Sequence, residues 1–184
     1  MFVAGGELII GNSSAPYNGT ATIKLFGIST DQTLAFDSSI HGGNKMLANL
    51  GLVSFWGQSR DRNSRLRQPI YTGNNSALVS PGLDWVAGDR IYLAPTATQY
   101  THSDYMTIAS YDIQTGIITF TEKVKFYHWG DYQSTASAYN GVDMRGEVVL
   151  LTRNVRVIGD DTMSWGGQIV TSDTLDDIGN LVSG

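Results

Sequence analysis

Cysteine is absent from these 184 residues. That excludes disulfides, zinc–thiolate sites and iron–sulfur clusters. The absence suits a reducing compartment, but a large β core outside the cell needs no disulfides either, so it does not fix the location. Charge is also sparse, at 16% of residues against roughly 25% in ordinary globular chains. The formal net charge of −5 and the lack of a long basic run speak against nucleic acid as a partner. No segment approaches the roughly 18 consecutive apolar residues of a membrane span. Residues 1–7 lack a basic region ahead of an apolar stretch, so they are not expected to be a signal peptide and read like the middle of a strand. Sustained helical periodicity is missing, and residues 174–181 have room for one turn at most.

Glycine is abundant, with 21 residues, and Ser, Thr and Asn fill the polar positions. This is the balance of an all-β chain with many tight turns. Short β-patterned runs fall at 7–10, 20–26, 50–56, 90–94 and 168–171, most of them stopped by glycine or proline. Residues 106–111 and 116–121 flank a turn at 112–115 and predict a hairpin. Spacing of this kind suits coils of a parallel β-helix, but regular short repeats are missing, and spacing alone does not separate a β-helix from a sandwich. The basic cluster at 59–67 reads as a solvated loop. Three Asn-x-Ser/Thr triplets, at Asn12, Asn18 and Asn74, lie in turn-like sequence where a glycan has room, although such triplets also arise by chance in a chain this rich in Asn, Ser and Thr.

The segment 141–159 is the most distinctive. Asp143, Arg145 and Glu147 fall at every second position, so in a strand they share one face. Val148, Leu150 and Thr152 continue that parity, which predicts a strand leaving a polar surface for a core running from Val148 to Val157. Asp143-Met144-Arg145-Gly146-Glu147-Val148-Val149-Leu150-Leu151-Thr152-Arg153-Asn154-Val155 closely resembles the D-M-R-A-E-V-G-L-L-T-R-N-I signature of G8 domains. These domains occur in fibrocystin, fibrocystin-like proteins and related cell-surface hyaluronidases. Further motifs resemble the family in its order: Gly5-Gly6-Glu7-Leu8-Ile9-Ile10-Gly11, Ala21-Thr22-Ile23-Lys24-Leu25-Phe26-Gly27, Trp85-Val86-Ala87-Gly88-Asp89-Arg90-Ile91, Tyr127-His128-Trp129-Gly130 and Gly166-Gly167-Gln168-Ile169.

The resemblance implies a right-handed parallel β-helix with a small antiparallel insertion at 85–127, the whole of 1–184 forming one G8-like domain. It also implies an internal fragment of a longer surface protein. The hyaluronidase relatives suggest a depolymerase built from Asp143, Arg145, Glu147 and His128. Asp143 and Arg145 would stand about 7 Å apart along one strand face. Structural use, as the polar lock of one rung, is the reading preferred for those charges. An aromatic-rich loop of Tyr127, His128, Trp129, Tyr132 and Tyr139, with Asp131, Gln133 and Asn140, offers a sugar platform or, alternatively, an internal plug around Trp129. The tentative ligand-binding set is therefore Tyr127, His128, Trp129, Asp143 and Arg145.

His41, His102 and His128 show no metal spacing, and Asp160-Asp161 with Asp173, Asp176 and Asp177 do not resemble a calcium loop. No phosphate-binding loop occurs, and neither metal nor cofactor is expected. The function expected is a non-catalytic structural or recognition module of a large, glycosylated cell-surface or secreted protein, meeting extracellular matrix, glycans or neighbouring copies. The alternative is the N-terminal part of a glycosaminoglycan-cleaving β-helix, or a carbohydrate-binding module.

Overall fold

The structure, a computed structural model, describes residues 1–35, 41–131, 142–161, 166–172, 174–175 and 181–182. Every regular element among them is a strand, so the chain is all-β. In chain order these are β1 (Phe2–Ile10), β2 (Ala21–Leu25), β3 (Leu34–Ala35), β4 (His41–Gly42), β5 (Met46–Phe55), β6 (Asn63–Arg65), β7 (Ser76–Leu78) and β8 (Arg90–Leu93). They continue with β9 (Asp104–Tyr111), β10 (Ile117–Phe120), β11 (Glu147–Leu150), β12 (Val155–Gly159), β13 (Gln168–Thr171), β14 (Thr174–Leu175) and β15 (Leu181–Val182). The chain divides into two compact units, residues 1–59 with 153–184, and residues 60–152.

The first unit is built on parallel pairing. β5 runs parallel to β1 on one side and to β13 on the other. β2 and β12 make a second parallel pair, in register from Ala21 opposite Val155 to Leu25 opposite Gly159. Met46, Leu47 and Ala48 at the head of β5 are all buried. Consecutive burial is what a parallel strand covered on both faces shows, where a one-sided strand would alternate. Asn154 fastens the turns. Its Nδ2 donates to the carbonyls of Tyr17 (2.6 Å) and Gly19 (2.7 Å), and its Oδ1 accepts from Gln58 N at 2.9 Å. A Cβ on residue 57 would stand 2.5 Å from that Oδ1, so only glycine permits the approach.

The second unit is a six-stranded antiparallel sheet in the order β6-β11-β8-β9-β10-β7. Burial alternates along β8, β9 and β11 with the two-residue period of a sheet that has one covered face. Ile91, Leu93, Met106, Ile108, Val148 and Leu150 point into its core. The hairpin around 112–115 forms as its sequence suggests. Gly116 N donates to Asp112 O, and the Asp112 carboxylate accepts from Gln114 N and Thr115 Oγ1.

The antiparallel strands β6 to β11 lie within residues 60–152, a span that includes 85–127. Two expectations shift. Part of the basic cluster is strand β6, paired to β11, and not a solvated loop. The segment 141–159 is not one strand: β11 and β12 are separated by residues 151–154 and belong to different units. The physical reason is at its two breaks. Asp143 and Arg145 chelate each other ahead of β11, and Asn154 is committed to the turns ahead of β12. Residues 174–175 and 181–182 are short strands, and 176–180, the middle of the stretch with room for one helical turn, lie outside the described residues.

Candidate functional site

The charged half of the 141–159 segment forms a guanidinium clamp. Arg145 binds Asp143 through two parallel bonds, Nε to Oδ1 at 2.9 Å and Nη2 to Oδ2 at 2.7 Å, and its backbone N–H also donates to Oδ1 at 3.1 Å. Arg65, on β6, reaches across. Its Nη1 donates to the carbonyls of Asp143 (3.1 Å) and Arg145 (2.9 Å), while its Nε lies 3.4 Å from Asp143 Oδ2. The Arg145 guanidinium, helped by its backbone N–H and by Arg65, holds the Asp143 carboxyl down at about 2. A bidentate arginine favours the ionised carboxylate and fixes its plane. Such a group has no proton to give near neutral pH and faces an arginine with both oxygens, so it is suited to tying a loop and not to general acid work. Glu147 is engaged too, accepting from Asn63 Nδ2 at 2.8 Å.

His128 lies in the interior, with no exposed surface. Ile70 and His128 exchange backbone hydrogen bonds across an isolated antiparallel bridge, which turns both side chains inward. The imidazole Nδ1 is 2.9 Å from the Ala94 carbonyl, which can only accept, so this nitrogen carries a proton. Nε2 lies 3.0 Å from Asp104 Oδ2. Asp104, also buried, accepts the backbone N–H groups of Lys125 and Phe126. Each buried polar atom of this pair thus has a partner, as interiors require. The arrangement ties the loop before residue 130 to β9 and to the segment after β8.

Trp129 is half-buried, with its N–H on Thr96 Oγ1 at 2.9 Å and its carbonyl taking Gly146 N at 2.8 Å. Tyr127 is exposed and tilts against the equally exposed Tyr71, ring centroids 5.4 Å apart. Burial first, then Tyr71 and Asp131, push its phenol upward. The structure therefore brings Asp143 to Arg145, places Trp129 against Gly146 just after them, and leaves Tyr127 exposed while its neighbour His128 is buried. Tyr132, Gln133, Tyr139 and Asn140 lie outside the described residues, as do Asp173, Asp176 and Asp177. Asn12, Asn18 and Asn74 are all exposed. Among the described residues no group of three or more His, Cys, Asp or Glu gathers in a way that could hold a metal ion. His102 stacks on Phe126 at 4.5 Å, and Asp160 pairs with Lys24 at 2.9 Å.

Several structural anchors carry no catalytic pattern in sequence. Arg60, inside the basic cluster, donates to the carboxylates of Asp84 (3.0 Å) and Asp89 (2.6 Å) and to the Asp84 carbonyl. Asp61 and Asp84 each accept the other's backbone N–H, and Trp85 Nε1 donates to Asp61 O at 2.7 Å. This network is what the Trp85-Val86-Ala87-Gly88-Asp89 motif builds. No local pattern in sequence points to it, because Arg60 sits in a basic cluster and its carboxylate partners lie more than twenty residues away.

Residues 1–67 match the G8 domain. A G8 domain-containing protein of Dictyostelium discoideum is 29% identical over 177 residues, covering 91% of this chain and 14% of that protein. Human Fibrocystin-L is 22% identical over 162 residues, covering 88% of this chain and 4% of that protein. This chain thus corresponds to a small part of the length of the relatives it matches. Among solved structures, the tailspike gp61 of Pseudomonas phage phi297 overlaps at a TM-score of 0.42 and 11% identity, covering 91% of this chain and 22% of that one. That overlap is too loose to bear on mechanism.

Proposed function

We propose that this chain is a rigid, non-catalytic G8 module of a larger cell-surface or secreted protein resembling the fibrocystin-like proteins. The carrying observation is the use to which the signature charges are put. Asp143, Arg145 and Arg65 bind one another and the backbone, so the most family-like stretch works as a fastening. His128 and Asp104 do the same in the interior. The parallel pairs β1–β5–β13 and β2–β12 support the finer reading of a right-handed parallel β-helix, with residues 60–152 inserted in sequence between β5 and β12. Stacked rungs of this type gain stability from their neighbours, which suits a module working within a longer chain. Its role is to hold exposed loops in fixed positions for extracellular matrix, glycans or a neighbouring copy.

The test sets fastening against catalysis. The chain is incubated with hyaluronan, and polymer length is read on a gel beside Asp143→Asn and Arg145→Ala. The expected result is unchanged polymer in every lane, with both variants melting several degrees lower. Depolymerisation by the parent that Asp143→Asn abolishes, at an unchanged Tm, would overturn the proposal.

A further inference from the structure

We propose that Asn74 carries an N-linked glycan whose first sugar packs on the exposed ring of Tyr71, with Tyr127 backing that ring. In the cell this rests on the cell-surface reading above; the packing itself does not. The backbone geometry puts the three residues together. Ile70 and His128 are buried opposite each other, with reciprocal N–H to O bonds of 2.9 and 3.0 Å. Their chain neighbours Tyr71 and Tyr127 therefore take the outer face. There the two rings meet at 5.4 Å and 53°, Tyr71 keeping 60% and Tyr127 42% of its surface exposed.

From Tyr71 the chain turns at once. Asn74 N donates to Tyr71 O at 3.0 Å, and Gly73, in the third position, has φ +90°. A positive φ there is the mark of a type II turn, whose first and fourth Cα atoms lie within about 7 Å. The turn is pinned by Gly73 N to Val124 O and Val124 N to Asn74 O, each 2.8 Å. So an exposed Asn-Asn-Ser triplet begins one tight turn away from an exposed aromatic face, on a backbone already held in place. A pyranose presents C–H bonds on its flat side, and the negative face of an aromatic ring receives them. Because turn and ring are preorganised, the contact requires little ordering. Asn12 differs: its side-chain oxygen is occupied by Ser14 N and Ala15 N within its own turn.

The chemistry is a glycosyl transfer from a lipid diphosphate-linked oligosaccharide. Asn74 Nδ2 forms a bond to sugar C1, the bond from C1 to the diphosphate oxygen breaks, the lipid diphosphate leaves, and the amide gives up one proton.

The experiment uses the full chain secreted from glycosylating eukaryotic cells behind an added signal sequence, and the same chain made in bacteria. Peptide mass before and after enzymatic deglycosylation reads occupancy. Asn74→Gln, Tyr71→Ala and the double variant form a cycle read by Tm, with Asn12→Gln as the reference glycan. Expected are an occupied Asn74, a Tm roughly 2–4 °C lower on losing that glycan, and less than half that loss once Tyr71 is already alanine. The bacterial proteins should show no coupling between the two positions. An empty Asn74, an equal loss with and without the Tyr71 ring, or the same loss at Asn12 would overturn the inference. A native protein free of glycan, beside an intact cycle in the secreted one, would overturn the cell-surface reading and leave the packing standing.

Discussion

The two units are nearly equal in length but hold themselves together differently. In the antiparallel unit, residues 60–152, fourteen buried apolar residues form one cluster. Among the described residues of the parallel unit only Leu25, Met46, Leu47 and Ala48 are buried apolar residues. Phe2, Ile9, Phe26 and Ile169 stand at least half exposed there. One unit closes a core of its own and places Asp89, Asp104 and His128 inside it, where the other buries the single charge of Lys45 among its described residues. The other relies on backbone ladders and on an asparagine that fastens its turns, and it leaves apolar strand faces open. Alternating strands generate a core locally, whereas stacked parallel strands share theirs with the next layer.

If that contrast is right, the antiparallel unit should be the more vulnerable to losing a buried polar partner. Asp104→Ala removes the acceptor of two backbone N–H groups and leaves the buried His128 facing a void. Leaving buried donors without their acceptor costs about 1–3 kcal/mol each. Urea unfolding followed by tryptophan fluorescence should show a loss of that order. A loss under about 1 kcal/mol would mean that water replaces the carboxylate, and that the interior is less closed than it looks.

A smaller and more local effect belongs to the parallel unit. Asn154→Ala deletes two donors to the carbonyls of Tyr17 and Gly19 and one acceptor for Gln58 N, all on exposed turns. Hydrogen bonds of this kind contribute about 0.5–1.5 kcal/mol each, net of exchange with water. Hydrogen exchange should quicken across β2 and β12 while β8 and β9 keep their protection. Equal loss in both regions would break the contrast and make the two units one cooperative system.

The clamp at Asp143 gives a pH signature with a definite sign. Its carboxyl is lowered from 3.8 to about 2 in the fold. A depressed carboxyl contributes stability above its unfolded value and loses it as pH falls through the folded one. The window is therefore between about pH 4 and 2. The side chain is 30% exposed, so solvent screening reduces the contribution to about 1 kcal/mol. The Tm gap between the parent and Asp143→Asn should be present at pH 5 and should narrow toward zero by pH 2. A gap that stays constant would assign the effect to shape alone.

Much of this was legible in order and class before any coordinate. Two-residue alternation and glycine stops located β2, β8, β9, β10 and β13 closely, because alternation is a local property of a half-covered strand. The clamp was half visible: spacing put Asp143 and Arg145 on one side, but nothing near them in sequence pointed to Arg65, whose partnership depends on β6 pairing with β11. The same limit applies to Arg60 with Asp84 and Asp89, and to Asn154 with Tyr17. Contacts across tens of residues are set by topology, and a basic cluster looks identical whether water or a distant carboxylate receives it. The continuous strand expected from Val148 to Val157 failed for a related reason. Residues 151–154 look β-forming in isolation, and the commitments of Arg90 N to Thr152 Oγ1 and of Asn154 to the turns are what interrupt them.

The smallest expected effect is the sharpest test of the open faces. Ile169, on β13, is 62% exposed, and β13 pairs with β5 on one side only among the described residues. An apolar side chain already in water contributes little to folding, so Ile169→Ser should change stability by no more than about 0.5 kcal/mol. Exposed apolar strand faces do, however, favour association between copies. The variant should therefore keep the parent's Tm while showing less self-association by light scattering at high protein concentration. A Tm lowered by several degrees would show that this face is covered within a single chain, and the parallel unit would then have a closed core like that of its neighbour in sequence.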